Sequence, residues 1–194
     1  MNEQKTELDS KLEKAICAKD KELIKSLVKE GAEFNKLDCP VGIAVSTKDL
    51  SIVELVMKLG ADLNMRTYKR GYTAIHQALV TNNLAALELL LEYGANPDIT
   101  EDYGFSPLHF ACQDMKEEAI QLLVKYGAKT NIGNFNEETP FDLFKNSLNE
   151  KQIKSDELIK RYEKMLTQNQ IRQANPVLKL TNFVHDELNA LNRF

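Results

Sequence analysis

A repeat of about 33 residues constrains the fold of this chain more than any other feature of the sequence. The dipeptide Gly-Ala occurs four times, beginning at Gly31, Gly60, Gly94 and Gly127, and the interval between successive copies varies little. A second motif recurs at the same interval, as Thr73-Ala74-Ile75-His76, Ser106-Pro107-Leu108-His109 and Thr139-Pro140-Phe141-Asp142. Two motifs that keep the same phase predict a protein of stacked repeats, in which each unit packs on its neighbours.

Each full repeat predicts a pair of helices. In the unit that starts near Asp102, the Ser106 hydroxyl can cap a first helix, and Pro107 suits its first turn because no N–H is needed there. Apolar residues at helical spacing predict a second helix over 117–126. Gly127 then ends this helix, since glycine adopts a left-handed conformation without penalty.

The other units vary this pattern. Second helices are predicted over 84–91 and 51–59, but the unit that contains the latter replaces the capping motif by Cys39-Pro40-Val41-Gly42, and its preceding loop is four residues short. At the N-terminal end, the repeat phase predicts a cap at Ser10 with Leu12, Ala15 and Ile16 facing inward. In the last unit we expect a long inter-helix turn over 146–154. A charged amphipathic helix over 155–166 follows, with Leu158, Ile159, Tyr162 and Leu166 on one side.

The period and the two motifs resemble the ankyrin repeat family over residues 10–166, with the most specific match in the two central repeats. The resemblance implies an all-α ankyrin-repeat solenoid of about five stacked helix-turn-helix units with projecting fingers. The units cover about 8–36, 37–66, 67–100, 101–133 and 134–166, which gives a repeat domain over 1–166. The resemblance also implies that His76 and His109 hydrogen-bond to backbone in neighbouring turns and are structural.

Residues 167–194 are predicted to be a linker followed by a short amphipathic helical tail. The segment 167–176 is rich in Gln and Asn, and the apolar residues after it have helical spacing from Thr181 onward. One interpretation is that the tail folds back over the last repeat. The other is that it is a short motif that binds another protein.

Composition and charge exclude several classes of function. The net charge of −4 argues against nucleic-acid binding, which needs a concentrated basic face. The sequence shows neither an apolar run of about 20 residues nor a secretory signal, so we expect no membrane association. Its three cysteines lack metal or redox spacing, and Cys39 and Cys112 lie at positions that take small residues. We therefore expect buried free thiols and a cytoplasmic location, or a host cytosol if a microbe delivers the protein.

We expect no catalytic site, no cofactor and no metal. The sequence has no glycine-rich phosphate loop and no Gly-x-Ser-x-Gly motif, and the residues around His185 lack the His-Glu-x-x-His spacing of a zinc helix. The chain is therefore predicted to be a non-enzymatic protein-protein interaction module.

The predicted partner-binding residues lie on the fingers and on the concave face of the first helices, because aromatic residues and arginine most often anchor protein interfaces. They are Arg66, Tyr68, Arg70, Tyr72, Gln77, Tyr103, Phe105, Phe110, Gln113, Asp114 and Phe135. Phe110 is the strongest of these, since we expect its ring to have no core to enter. For Tyr72 and Phe105 an alternative is that they pack on the backbone of the neighbouring finger.

The sequence leaves the biological use of such a surface open. An adaptor, an inhibitor that masks a partner, and a microbial effector that engages host proteins all suit a small repeat array, which we expect to be a monomer by itself. A different possibility is a regulatory or substrate-recruiting subunit of an enzyme complex, docked through the C-terminal tail.

Overall fold

A computed structural model describes residues 7–150 and 159–166, and the described residues are helical with short connections. The helices are α1 (Glu7–Ala18), α2 (Lys21–Lys29), α3 (Pro40–Ser46), α4 (Leu50–Lys58), α5 (Ala74–Val80), α6 (Leu84–Glu92), α7 (Pro107–Gln113), α8 (Glu117–Lys125) and α9 (Pro140–Glu150). Residues 159–166 form a further helix, α10. A 3-10 turn over Phe34–Lys36 follows α2. None of the described helices is both long enough and apolar enough to cross a membrane.

The helices stack as pairs in two layers. The first helices α3, α5, α7 and α9 contact one another in sequence, and the second helices α4, α6 and α8 form a parallel row behind them. The core lies between the two rows, where Ile75, Leu90, Leu108 and Leu123 are fully buried. This arrangement confirms the predicted solenoid of helix pairs, whose stability comes from contacts between neighbouring units.

Short polar side chains start the second helices. Asp20, Asp49 and Asn83 precede α2, α4 and α6, and the side-chain oxygen of each accepts a hydrogen bond from a backbone N–H in the first turn. Such caps satisfy N–H groups that have no partner inside the helix. At the other end of α6 and α8, Gly94 and Gly127 have positive φ angles of 86° and 89°, as the sequence predicts.

The prediction that Ser10 caps the first helix is wrong. The described part of α1 begins at Glu7, so Ser10 lies inside the helix, and an ion pair between Glu7 and Lys11 supports this first turn. Asp9 is buried, and its carboxylate accepts the Glu33 N–H at 2.9 Å. The predicted inward residues of α1 are buried as expected: Leu12, Ala15 and Ile16.

The predicted turn over 146–154 is also wrong in its first part, because α9 continues to Glu150. Ser147 and Leu148 are buried, and the Ser147 hydroxyl donates to the Gln113 carbonyl at 2.7 Å. This packing against α7 favours about one and a half further turns of helix. The rest of the predicted turn and Leu158 lie outside the described residues. In α10, Tyr162 and Leu166 are buried and Ile159 is half-buried, so this side of the predicted helix is confirmed.

Between the helix pairs the chain projects as fingers, of which we define finger three as residues 66–72, finger four as 101–105 and finger five as 134–138. Each is closed by a backbone hydrogen bond, such as Glu101 N–H to Phe105 carbonyl at 3.0 Å. Adjacent fingers are joined as well. The Asp102 N–H donates to the Arg70 carbonyl, and the Phe135 N–H donates to the Tyr103 carbonyl, both at 3.1 Å. Fingers three to five are therefore one hydrogen-bonded row.

Glu137 occupies a position where the two preceding fingers have glycine. Gly71, Gly104 and Glu137 are equivalent positions of consecutive repeats and have φ angles of 66°, 84° and 63°. A side chain in this left-handed region costs about 1 kcal/mol. We expect Glu137→Gly to raise the free energy of unfolding by up to about 1 kcal/mol in chemical denaturation.

Asn136→Gly is the matched control for this change. Asn136 is exposed in the same finger, but its φ angle is not positive. Glycine there only adds freedom to the unfolded chain, so this variant should lose about 0.5 kcal/mol. An equal effect of both substitutions would show that backbone strain at Glu137 is negligible.

Candidate functional site

Two buried histidines join consecutive units on the side of the fingers. The backbone N–H of Thr73 donates to His76 Nδ1 at 3.1 Å, and His76 Nε2 lies 3.2 Å from the Phe105 carbonyl of finger four. His109 repeats this arrangement with Ser106 N–H and the Glu138 carbonyl, each at 3.0 Å. A carbonyl can only accept and a backbone N–H can only donate, so Nε2 carries the proton in both rings.

Burial keeps these imidazoles neutral. It lowers the pKa of His76 from 6.5 to about 4, while the hydrogen bond to the Phe105 carbonyl opposes the shift. Burial also lowers the pKa of His109. A second proton would have to sit on Nδ1, facing the backbone N–H that Nδ1 accepts. The two histidines are therefore structural, as the sequence predicts, and hold each unit to the next finger.

The same position carries other residues in the flanking units. Asp142 accepts hydrogen bonds from the Thr139 N–H and hydroxyl, so it caps α9, but a carboxylate has no proton to donate onward. The Thr139 hydroxyl and Lys145 lower the pKa of Asp142 to about 2. In the second unit the position is Gly42, which has no side chain to reach finger three.

Three aromatic side chains stand exposed on the fingers. Tyr68 on finger three is 72% exposed, Tyr103 on finger four is 68% exposed, and Phe135 on finger five is 77% exposed. They are the largest exposures among the described large hydrophobic side chains. Backbone hydrogen bonds join the three fingers that carry these rings, and we call the three side chains the aromatic row.

Behind the aromatic row, four rings form a contiguous cluster in the concave groove. Tyr72 stacks on His76 with a centroid distance of 5.5 Å, and Phe110 meets Tyr72, His76 and Phe105 edge-on at 5.5, 5.2 and 6.2 Å. Phe110 is half-buried and packs against the core. The expectation that its ring has no core to enter is therefore wrong, because the neighbouring aromatic side chains supply the packing surface.

The arginines of finger three make contacts within fingers three and four. Arg66 pairs with Asp102 at 2.8 Å and donates to the Gly71 carbonyl at 3.2 Å. Arg70 lies over the Tyr72 ring, with its guanidinium carbon 6.0 Å from the centroid. Arg66 thus holds two fingers together, whereas Arg70 keeps its donors exposed.

The remaining predicted residues lie on the first helices, along the floor of the groove. Gln77 is half-buried, while Gln113 and Asp114 are exposed. Asp114 pairs with Lys116 at 2.9 Å, which leaves it less able to bind a partner. The structure thus brings together Gln77, Phe110 and Gln113 on consecutive helices beside the fingers. Residues 167–194 lie outside the described residues.

One residue of this region was missed from the sequence. Asp38 accepts the backbone N–H of Tyr68 at 2.8 Å, so it anchors finger three from the preceding unit. The finger that precedes α3 is short, and a side chain takes the place that a backbone carbonyl has in the later fingers. The shortened spacing in the sequence is the signal that could have indicated such a substitution.

Cys39 and Cys112 are buried free thiols, as predicted, and Cys17 is exposed. Burial raises the pKa of Cys39 to about 11 and that of Cys112 to about 12. Both thiols are thus protonated at neutral pH and unreactive. Among the described residues no group of three or more His, Cys, Asp or Glu side chains could hold a metal ion.

This is a repeat protein of the helical solenoid class. Three features define the class: the helix pairs stack in two rows, hydroxyl groups cap the first helices, and buried histidines reach from one unit to the next finger. Comparison with known protein families agrees with this assignment to a repeat protein. A model of ankyrin repeats in three copies matches residues 12–101 and 41–134, which together span more than half of the chain. The chain belongs to the ankyrin repeat family, whose members are generally protein-protein interaction modules.

A human protein gives a local match within this family. Over 40 residues the chain is 50% identical to "SH3 and multiple ankyrin repeat domains protein 2" from Homo sapiens. The match covers 21% of this chain and 2% of the human protein. The matched segment thus covers only a small part of each protein.

Proposed function

We propose that this protein binds another protein through the aromatic row and the adjoining concave groove, and that it catalyses no reaction itself. The observation that carries the proposal is the aromatic row, because Tyr68, Tyr103 and Phe135 expose large rings on consecutive fingers. Aromatic side chains anchor interfaces by burying a large area at a low cost in side-chain entropy. The half-buried ring of Phe110 and the amides of Gln77 and Gln113 extend the surface into the groove.

Rigidity supports this proposal. The backbone hydrogen bonds between fingers and the Arg66–Asp102 ion pair hold the finger backbone that carries the rings before any partner arrives. A preorganised surface loses less conformational entropy on binding. A partner lying across the fingers and groove could bury about 800 Å² on this protein, the size of a standard interface.

In its biological role, such a surface would serve as an adaptor, an inhibitor that covers a partner's active surface, or an effector. A cytoplasmic location suits the two buried thiols and the exposed Cys17. All three roles use the same surface, so identification of the partner distinguishes between them.

The test is capture of partners from a native lysate on the immobilised protein. Proteins bound by the wild type are identified by mass spectrometry, and their affinities are measured again with purified components. We expect the variant Tyr68→Ala/Tyr103→Ala/Phe135→Ala to bind such a partner at least about tenfold more weakly, since an aromatic anchor contributes more than about 1 kcal/mol. These three side chains are better choices than Phe105 and Phe110, because both of the latter pack inside the ring cluster.

The matched control is Leu23→Ala/Leu50→Ala/Tyr93→Ala. It removes three exposed apolar side chains from the ends of α2, α4 and α6, away from the fingers. We expect this variant to bind as the wild type does. Equal binding by both triple variants, with circular dichroism showing that both are folded, would exclude the aromatic row as the site.

A further inference from the structure

A notch in the concave groove lies beside Gly42, at the position where the second unit lacks a histidine. Gly42 lies one repeat before His76 and takes its place in the second unit. The carbonyls of Phe105 and Glu138 each accept from the imidazole of the preceding unit. The equivalent Tyr72 carbonyl accepts only the Thr67 N–H within the described residues. The second and third units are therefore joined without the buried ring that joins the later ones.

The notch has a volume of about 110 Å³. Its walls come from α3, the loop before it, finger three and the start of α5: Asp38, Cys39, Gly42, Ile43, Ser46, Thr67, Thr73 and Gln77. Since a water molecule occupies about 30 Å³ of liquid, the notch has room for a single side chain. It is well below the roughly 300 Å³ of a site for a drug-sized molecule.

The chain cannot fill the notch from position 42. A Cβ atom added to Gly42 would lie 2.8 Å from Cys39 Sγ and 3.9 Å from the Ala74 Cα. The first distance is shorter than a real contact, and Cys39 is itself buried, so it has little room to move. Cys39 thus occupies the space next to Gly42, and position 42 contributes no side chain to the notch, which Gln77 also lines.

The negative charge of Asp38 at the rim indicates that the notch favours a cationic group. The Asp38 carboxylate is exposed and binds one backbone N–H, but no lysine or arginine of the described segments lies within ion-pair distance of it. By contrast, Asp102 of finger four pairs with Arg66, and Asp114 after α7 pairs with Lys116. The Ser46 hydroxyl donates its proton to the Gly42 carbonyl, so the hydroxyl oxygen remains available to accept a hydrogen bond.

We propose that this notch binds one lysine or arginine side chain of the protein partner, with the aliphatic stem against Ile43 and Gly42 and the cationic end at Asp38. Long cationic side chains pack their stems on apolar surface while their charged ends remain in a polar setting. Gln77, which the notch shares with the proposed groove, places the two sites on one continuous surface. The proposal rests on the proposed function in that a protein supplies the side chain.

The test uses the 194-residue chain without a partner, so its outcome is separate from that of partner capture. N-acetyl-arginine amide and N-acetyl-lysine amide are titrated to tens of millimolar, and backbone amide shifts are followed by NMR. We expect saturable shifts at Ile43, Tyr68 and Gln77. The uncharged N-acetyl-citrulline amide should bind with at most one tenth of the affinity of the cationic amides. Absence of saturable shifts with both cations, or equal binding of citrulline, would overturn the proposal.

Two pairs of variants identify the site. Asp38→Asn keeps an acceptor for the Tyr68 N–H but removes the charge, and should weaken binding about tenfold, whereas Glu137→Gln on finger five should not. Ser46→Phe should block the notch, whereas Val80→Phe places the same side chain at an exposed groove position that is not part of its lining. If Asp38→Asn and Ser46→Phe bind the cations as the wild type does, the notch is not the site, even if a partner is captured by the fingers.

Discussion

Replacing His109 by alanine is expected to lower the free energy of unfolding by about 4 kcal/mol. The ring is fully buried, so its removal leaves a cavity, which costs about 3–5 kcal/mol for an aromatic side chain. The substitution also removes the partner of the Ser106 N–H and one of the two donors to the Glu138 carbonyl, which keeps the Asn134 N–H. Because a solenoid unit is stabilised by its neighbours, the fifth finger should open before the central units do.

Asp142→Ala is the matched control, since Asp142 occupies the same repeat position one unit later. It caps its own helix but donates to no further finger, so alanine should cost only about 1 kcal/mol. Chemical denaturation gives both costs. Hydrogen exchange then shows whether the amides of Asn134 and Phe135 lose protection in His109→Ala ahead of those in α5. Equal destabilisation by the two substitutions would contradict a joining role for His109.

Acidification should destabilise the protein well before its carboxylates titrate. His76 has a pKa of about 4 in the folded protein, compared with 6.5 as its ordinary value. As the pH falls below 6.5, the unfolded chain therefore binds a proton that the folded chain does not, and stability decreases. Between about pH 7 and about pH 5 this residue alone should cost about 2 kcal/mol. His109 contributes in the same direction because its pKa is also lowered.

Denaturation curves measured across this pH range check the expectation. His76→Gln has no titrating group at this position, so its stability should fall less steeply, with the remaining slope due to His109. The double variant His76→Gln/His109→Gln should be nearly independent of pH in this window. If the free energy of unfolding of the double variant falls with pH as steeply as that of the wild type, the pH dependence is due to other groups.

The repeat motifs allowed most of the fold to be predicted because they encode local interactions. Ser106 caps α7 in the structure, and Gly127 follows α8 with a positive φ, as expected from the chemistry of helix ends. The burial of Cys112 follows from its place in the same pattern. The binding roles assigned to the finger and groove residues remain predictions, and so do the unit boundaries.

The errors concern contacts that repeat spacing does not encode. The extension of α9 depends on the hydrogen bond between Ser147 and the Gln113 carbonyl of another unit. The half-buried state of Phe110 depends on Tyr72 and Phe105, which come from two different fingers. The Arg66–Asp102 ion pair likewise joins residues that are 36 positions apart. Each of these contacts links residues that come close together only after the units have stacked.

The hydrogen-bonded row of fingers has a geometric consequence for what it can recognise. Neighbouring packed helices lie about 8–10 Å apart, so the finger bases that carry Tyr68, Tyr103 and Phe135 should repeat at about that interval. The first and last would then be about 20 Å apart, which an extended chain spans with about six residues. Because backbone hydrogen bonds join adjacent fingers, the spacing between the finger bases is fixed. If the proposed surface binds an extended segment of a partner, the groups of that segment that contact successive fingers should lie about three residues apart, with an offset because Tyr68, Tyr103 and Phe135 occupy different positions within their fingers.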